Sequence, residues 1–349
     1  MLYGKALIDE VERVLEGDKV VFAQLAPAVR VSIGEEFGLP PGTELTYKTI
    51  GLLKELGFDE VVDTPFGADL VTYAEAREFI INNVRPLFNS CCVGWREFCK
   101  KHYPHLINNI SSVISPMMAT GGVIKTYVAD AMGLTADDIV VVGIMPCTMK
   151  KLETKYTSVF GWRYVDYVIT TRELGEWAKA KSIDIKDIKG GQFSEYLPVS
   201  SKGGTIFGVT GGLSEAFITT IAEMVGGVVD DKVFRDNKGI REIDVNIGDL
   251  TINIGIAHGV NNIKVILDDY KKYDFVEMMF CPYGCIGGPG QPLPQTDDVL
   301  KARALSLRRF SSNKAIKTPI DNMYIKSVVD YFNEKNVDLM KFITHWGST

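Results

Sequence analysis

DDIVVVGIMPC, residues 137–147, narrows the possible folds more than any other stretch of the chain. Its apolar residues run continuously and are mostly β-branched. A strand with one wet face would alternate with polar residues. This one predicts burial on both faces, as in a parallel sheet covered by helices. The rest of the chain supplies the covering layers. KVVFAQLAP (19–27) predicts a strand stopped by proline, and AVRVSIGEEFG a helix ending at glycine. YKTIGLLKELGF, RELGEWAKAK and a segment over 69–83 predict helices, whereas DEVVDT, VRPLFNSCC, VDYVITT, LTINIGIAHG and YDFVEMMFC predict strands. GTIFGVTGGLSEAFITTIAEMVGG reads as strand, glycine turn and helix, and a further helix begins near Val260. Strands alternating with helices in this way imply an α/β fold built on parallel sheet.

Residues 296–349 depart from the alternation. They are rich in Lys, Arg and Asn, mostly helical in pattern, and predict a C-terminal wrap around the body. The first residues, MLYGKALIDEVERVLEG, have the spacing of an amphipathic helix and lack the apolar core of a signal peptide. No apolar run is long enough for a membrane span, and the formal net charge of -6 offers no basic face for nucleic acid. The expectation is a soluble cytoplasmic monomer.

The six cysteines are too few for a disulfide scaffold and are unevenly spread, with none before Cys91. Cys91 and Cys92, Cys147, and Cys281 each follow a predicted strand. Ligands gather at the carboxyl ends of strands in open α/β sheets, so segments far apart in sequence can deliver thiolates to one point. Cys92, Cys147, Cys281 and Cys285 together would make a four-thiolate site of the kind that holds an iron–sulfur cluster. Gly284, Gly287, Gly288 and Gly290 would let the backbone approach it closely. Zinc is the alternative, although structural zinc sites usually use two short cysteine pairs and this chain has one. Cys99, on the helix after the first pair, reads as core.

NSCCVGW (89–95), IMPCTMKKLE (144–153) and EMMFCPYGCIGGPGQP (277–292) resemble the three signature motifs of the catalytic domain of FeFe hydrogenases. The resemblance runs from FAQLAPAVRVSIGEEFG to the glycine-rich motif. It implies two lobes of parallel sheet flanked by helices with the metal site in the cleft between them. It also implies a catalytic H-cluster domain over 1–295 and a small-subunit-like segment over 296–349. By the same resemblance, Cys92, Cys147, Cys281 and Cys285 hold a 4Fe–4S cubane. Cys285 also bridges to a two-iron unit carrying CO, cyanide and azadithiolate, which maturation proteins install. Lys150 matches a lysine that hydrogen-bonds a cyanide. Ala26, Pro27, Ala28, Met145, Pro146, Phe207 and Met279 match residues packed around the two-iron unit. Cys91 matches a proton-donating cysteine, and Glu75, Glu78 and Ser111 match the relay that supplies it. The two glutamates lie three apart, hence on one helix face. A pair at that spacing is otherwise common on a solvated helix.

The implied reaction is the reversible reduction of two protons to H2. Departures from the family pattern are Asn89 for threonine, Val93 for proline, Met117 for glutamine, and Pro289 within the glycine run. Many relatives carry ferredoxin-like domains, and this chain reads as a minimal form without them. A ferredoxin or similar carrier would then dock over the cubane, using Lys150, Lys151 and Lys155. The alternatives are a sensory hydrogenase-like protein and a non-catalytic iron–sulfur assembly protein. The assembly family is not expected to keep Cys91, Lys150 and both methionines together.

Overall fold

In the computed structural model, which describes residues 2–237 and 239–344, strands and helices alternate through most of the chain. The first third runs α1 (Leu2–Leu15), β1 (Val20–Leu25), α2 (Thr46–Glu55), β2 (Glu60–Asp63), α3 (Pro65–Ile81), β3 (Leu87–Phe88) and α4 (Val93–His102). Next come α5 (Pro116–Val123), α6 (Ala129–Met132), β4 (Ile139–Met145), β5 (Tyr167–Thr170), α7 (Thr171–Ala180), α8 (Lys202–Ile206) and α9 (Gly212–Val225). The chain then forms β6 (Val229–Asn237), β7 (Ile240–Ile247), β8 (Leu250–His258), α10 (Val260–Asp268) and β9 (Phe275–Met279). It closes with α11 (Asp297–Ser312), α12 (Met323–Glu334) and α13 (Leu339–Ile343).

The strands make two sheets. The first has the order β2-β1-β4-β5 and is parallel throughout. All seven residues of β4 are buried, as its unbroken apolar run requires. The second has the order β3-β9-β8-β7-β6. Its β3, β9 and β8 are parallel, whereas β7 and β6 continue it as an antiparallel meander. This second sheet is therefore mixed, not purely parallel. The IREIDVNI stretch of β7 alternates half-buried or exposed with buried positions, the period of a strand with one covered face.

Two local expectations fail for tertiary reasons. The segment after β1 is buried on all sides, not on one helical face. It forms turns and a single 3-10 stretch, Ile33–Phe37, ended by Gly38 at φ +75. GTIF lies within and just beyond α8 and is no strand. Asp69, fully buried on α3, accepts from the amides of Ser201 and Gly204 at 2.8 and 3.1 Å. It thereby fixes the first turn of that helix, where Ser201 also caps Gly204. A buried carboxylate overrides the strand propensity of three residues.

The C-terminal helices do wrap the body. α11 packs on α8 and on the turn at Cys285–Gly287, while α12 and α13 pack on α3. Among the described residues no helix is long and apolar enough to cross a membrane.

Candidate metal centre and proton path

Both sheets point the carboxyl ends of their parallel strands at one cleft. β1 runs into Ala26, Pro27 and Ala28, β4 into Pro146 and Cys147, β3 into Asn89 to Cys92, and β9 into Phe280 and Cys281. The cleft holds a small cavity of about 70 Å³. From the first sheet it is walled by Ala26, Pro27, Ala28, Met145 and Pro146, and from elsewhere by Phe207, Met279 and Met117. Cys91, Cys92, Cys147, Cys285 and Lys150 also line it. The pocket residues expected from sequence thus converge. Cys281 lies outside this lining and is half-buried, on the same loop as Cys285.

The four expected ligand thiols sit close enough to repel one another as thiolates. Burial, then the neighbouring thiolates, push Cys147 up to about 11 and Cys281 higher still. Cys285 rises to about 12 for the same reasons. Four thiolates in one place need a cationic partner, and an iron–sulfur cluster is such a partner. Among the described residues no three Cys, His, Asp or Glu side chains form a single-ion site. Thiolates around one zinc would stand only about 3.8 Å apart, from Zn–S bonds of roughly 2.3 Å. A cubane spreads its irons over four corners and takes a wider set. The donor set therefore fits a multi-iron cluster.

The glycine-rich loop is explained by packing as much as by any ligand. A Cβ on Gly288 would stand 2.3 Å from the Pro146 carbonyl oxygen, and one on Gly290 would stand 3.0 Å from the Cys147 amide. These glycines let the Cys285 loop lie against the Cys147 loop. Pro289, between them, is exposed, and its carbonyl accepts from Arg172 Nη2 at 2.7 Å, so a ring there meets no crowding. Val93 is the first residue of α4, with Cys92 at the N-cap. Proline is favourable at that position but not required.

Lys150 is turned inward. Its Nζ donates to the Cys91 carbonyl at 3.1 Å and to Glu153 Oε2 at 2.8 Å, and its side chain is 13% exposed. It cannot serve as a docking lysine, which corrects that expectation. Lys151 pairs with Glu173, and Lys155 is exposed. Glu153 is the residue the sequence reading missed. It is fully buried and also accepts from Arg96 Nη2 at 2.7 Å and Ser115 Oγ at 2.6 Å. Burial alone would raise its carboxyl, but the Lys150 and Arg96 charges outweigh that and hold it below the usual range. Glu153→Ala would remove the buried carboxylate that both cations share, and urea titration should register a loss of about 3–5 kcal/mol.

Cys91, whose carbonyl accepts from Lys150, also lines the cavity and is 8% exposed. Burial first, then the Glu75 charge, raise its thiol well above the ordinary value, so it keeps its proton at neutral pH. Asn89 Nδ2 donates to its sulfur at 3.2 Å. The same Asn89 accepts from the Met278 amide at 2.6 Å, pinning the loop to β9. Glu75, fully buried on α3, accepts from the Ser90 amide and hydroxyl, each at 3.2 Å. Ser111 Oγ donates to Glu78 Oε2 at 2.6 Å and is near enough to Glu75 to lower its carboxyl slightly. Glu78 is half-buried. Cys91, Glu75, Ser111 and Glu78 are thus neighbours, with Cys91 on the cavity wall and Glu78 the half-buried member.

Burial raises the Glu75 carboxyl to about 8. The fold therefore holds a proton there that the unfolded chain releases near 4.5. Stability from this group is complete below about pH 4.5 and is lost as pH rises through about 8, at up to 1.4 kcal/mol per pH unit. Glu75→Gln removes that dependence. Its melting temperature should match wild type near pH 4.5 and exceed it by several degrees at pH 8.5, measured by calorimetry.

Comparison with known proteins gives a consistent picture. The family described as iron only hydrogenase large subunit, C-terminal domain, matches residues 19–289. The chain is 38% identical to the NADP-reducing hydrogenase subunit HndD of Solidesulfovibrio fructosivorans, over 92% of this chain and 58% of that protein. It thus spans little more than half of that relative. It is 37% identical to the periplasmic Fe hydrogenase large subunit of Nitratidesulfovibrio vulgaris, over 83% and 73% of the two chains. A solved FeFe-hydrogenase structure describing stepwise H-cluster assembly superposes with a TM-score of 0.85 at 30% identity, covering 97% of each chain. Protein NAR1 of Arabidopsis thaliana is also similar, at 28% identity over 90% of this chain and 74% of its own.

Proposed function

Because this chain belongs to the iron-only hydrogenase large-subunit family, we propose that it is a working FeFe hydrogenase, catalysing 2 H+ + 2 e− ⇌ H2. The observation that carries this reading is the grouping of half-buried Glu78, Ser111 and buried Glu75 beside a buried, protonated thiol at the wall of the cavity. A protein that only stores or delivers clusters has no use for a proton path into an apolar cavity.

In this reading Cys92, Cys147, Cys281 and Cys285 hold a 4Fe–4S cubane, and Cys285 also holds a two-iron unit with CO, cyanide and azadithiolate ligands. When bound, these groups supply the electrons and the place where protons are reduced. The chain does the rest. Ala26, Pro27, Ala28, Phe207, Met145 and Met279 exclude water from the cavity. Lys150, oriented by Glu153, presents a cation to the anionic cyanide ligands, since either charge alone would be costly to bury. Glu78 takes a proton from solvent at its carboxylate. Ser111 Oγ releases its own proton to Glu75 and receives that of Glu78, and Glu75 reprotonates Cys91 Sγ. Glu75 suits the task because a carboxyl near 8 both holds and releases a proton close to neutral pH.

Residues 1–295 would form the catalytic unit and 296–349 a segment that braces it. Electrons would come from a ferredoxin or similar small carrier, and maturation proteins would install the two-iron unit. The test is stepwise assembly. Protein reconstituted with iron and sulfide, then given the two-iron unit, should develop the infrared bands of bound CO and cyanide. A protein that takes up the cubane and never acquires those bands would be the assembly type instead.

A further inference from the structure

The turn that carries Cys285 is gripped from the C-terminal segment by one side chain. Arg303, on α11, is fully buried. Its Nε and Nη2 reach the two carboxylate oxygens of Glu35 at 2.7 and 2.6 Å. Its Nη1 donates to the Ile286 carbonyl at 2.9 Å, and Nη2 also donates to the Pro292 carbonyl at 3.0 Å. One guanidinium therefore fixes both ends of the 286–292 loop, beginning at the residue beside Cys285. Only the planar fork of arginine can make these contacts at once. Anchoring α11 does not call for it, because Thr296 caps that helix and buried Leu300 and Leu307 seat it. On the loop itself, buried Gln291 completes the grip. Its Nε2 donates to the Ala28 carbonyl at 3.0 Å, and its Oε1 accepts from the Ser32 and Thr171 hydroxyls at 2.7 Å each.

We propose that Arg303 is a positioning residue for the metal centre, setting where Cys285 Sγ stands relative to the other cluster thiolates. A thiolate shared by two metal groups tolerates little displacement, and its support has to come from rigid elements around it. The C-terminal segment then belongs to the site and is more than a cover. The inference rests on Cys285 being a cluster ligand, as in the proposed function.

The test compares wild type, Arg303→Met, and the double variant Glu35→Gln with Arg303→Met, each reconstituted with iron and sulfide alone. Arg303→Met strands the Glu35 carboxylate and should lose both stability and cluster. The double variant removes the whole ion pair, which is often close to neutral for stability. It should melt within a few degrees of wild type, yet show a shifted electron paramagnetic resonance spectrum of the reduced cubane and release iron to a chelator about tenfold faster. Recovery of stability together with the wild-type spectrum and iron retention would make Arg303 a helix anchor only and overturn the proposal. If the double variant does not recover, Arg303→Lys decides, because it keeps the charge opposite Glu35 and loses the two-carbonyl grip. A folded Arg303→Lys protein with a shifted spectrum supports the proposal, and one with the wild-type spectrum overturns it. Wild type that binds no cubane at all would contradict the proposed function, on which this inference stands.

Discussion

Cys91→Ala, in protein carrying its full metal complement, is expected to lose H2 evolution by about 10²–10⁴-fold, the usual worth of a positioned proton donor. The thiol lines the cavity, is 8% exposed, and keeps its proton because burial and the Glu75 charge oppose ionisation. Alanine fits the same space but carries no proton. The cubane should still load, since the four ligand thiols are untouched, so iron content and the cubane spectrum should match wild type. Glu75→Gln should fall in the same direction, because an amide keeps the hydrogen bonds from Ser90 and cannot relay. Loss of iron together with activity in Cys91→Ala would mean that the thiol is structural, and the proton-path reading would fail.

Cys147→Ala should abolish the metal centre itself. Changing only the outer partners of a metal ligand already costs about 10–100-fold in affinity, so deleting a ligand should reduce bound iron by more than that. Cys147 ends the β4 loop against which Gly290 packs, and its thiol is raised to about 11 by burial and by the Cys92 thiolate. Cys99→Ala is the control. Cys99 is fully buried on α4, donates weakly to the Tyr103 carbonyl at 3.5 Å, and is raised by burial alone, so iron content should not change. Equal iron loss from both variants would point to a fold defect and not to ligand loss.

Much of this centre could be read from the chain because its logic is local. A continuous apolar run such as Ile139–Met145 has to be a doubly covered strand, and the residues after it have to lie at the carboxyl edge of the sheet. That alone places Cys147, and the same reasoning places Cys91, Cys92 and Cys281. Partners that act across long separations leave no such trace. Glu153 meets Arg96 57 residues away, and Arg303 meets Glu35 268 residues away. Neither pair has a spacing to read. The KKLE stretch did put Lys150 three residues before Glu153, a contact distance on a helical turn, and that signal could have oriented Lys150 inward.

The misread segments share one cause. Asp69 dictates the start of α8 from another helix, and the all-round burial after β1 leaves no amphipathic period for an α-helix. Propensity is weak against a buried carboxylate or a crowded core. β6 and β7 lay between two clearer elements, and the alternation of IREIDVNI was the signal for them. Of the departures from the family pattern, Val93, Asn89 and Pro289 have structural accounts. Met117 lines the cavity, and its carbonyl accepts from Gln24 Nε2 at 3.0 Å, a bond its side chain does not influence.

The most direct measurement is H2 production by the fully matured wild-type chain, supplied with electrons by a reduced viologen dye so that no protein carrier is needed. Steady H2 evolution that tracks the content of the two-iron unit is expected, with Cys91→Ala at the same metal content falling about 10²–10⁴-fold below it. A matured wild-type protein that shows the infrared bands of bound CO and cyanide and yet yields no more H2 than Cys91→Ala would contradict it.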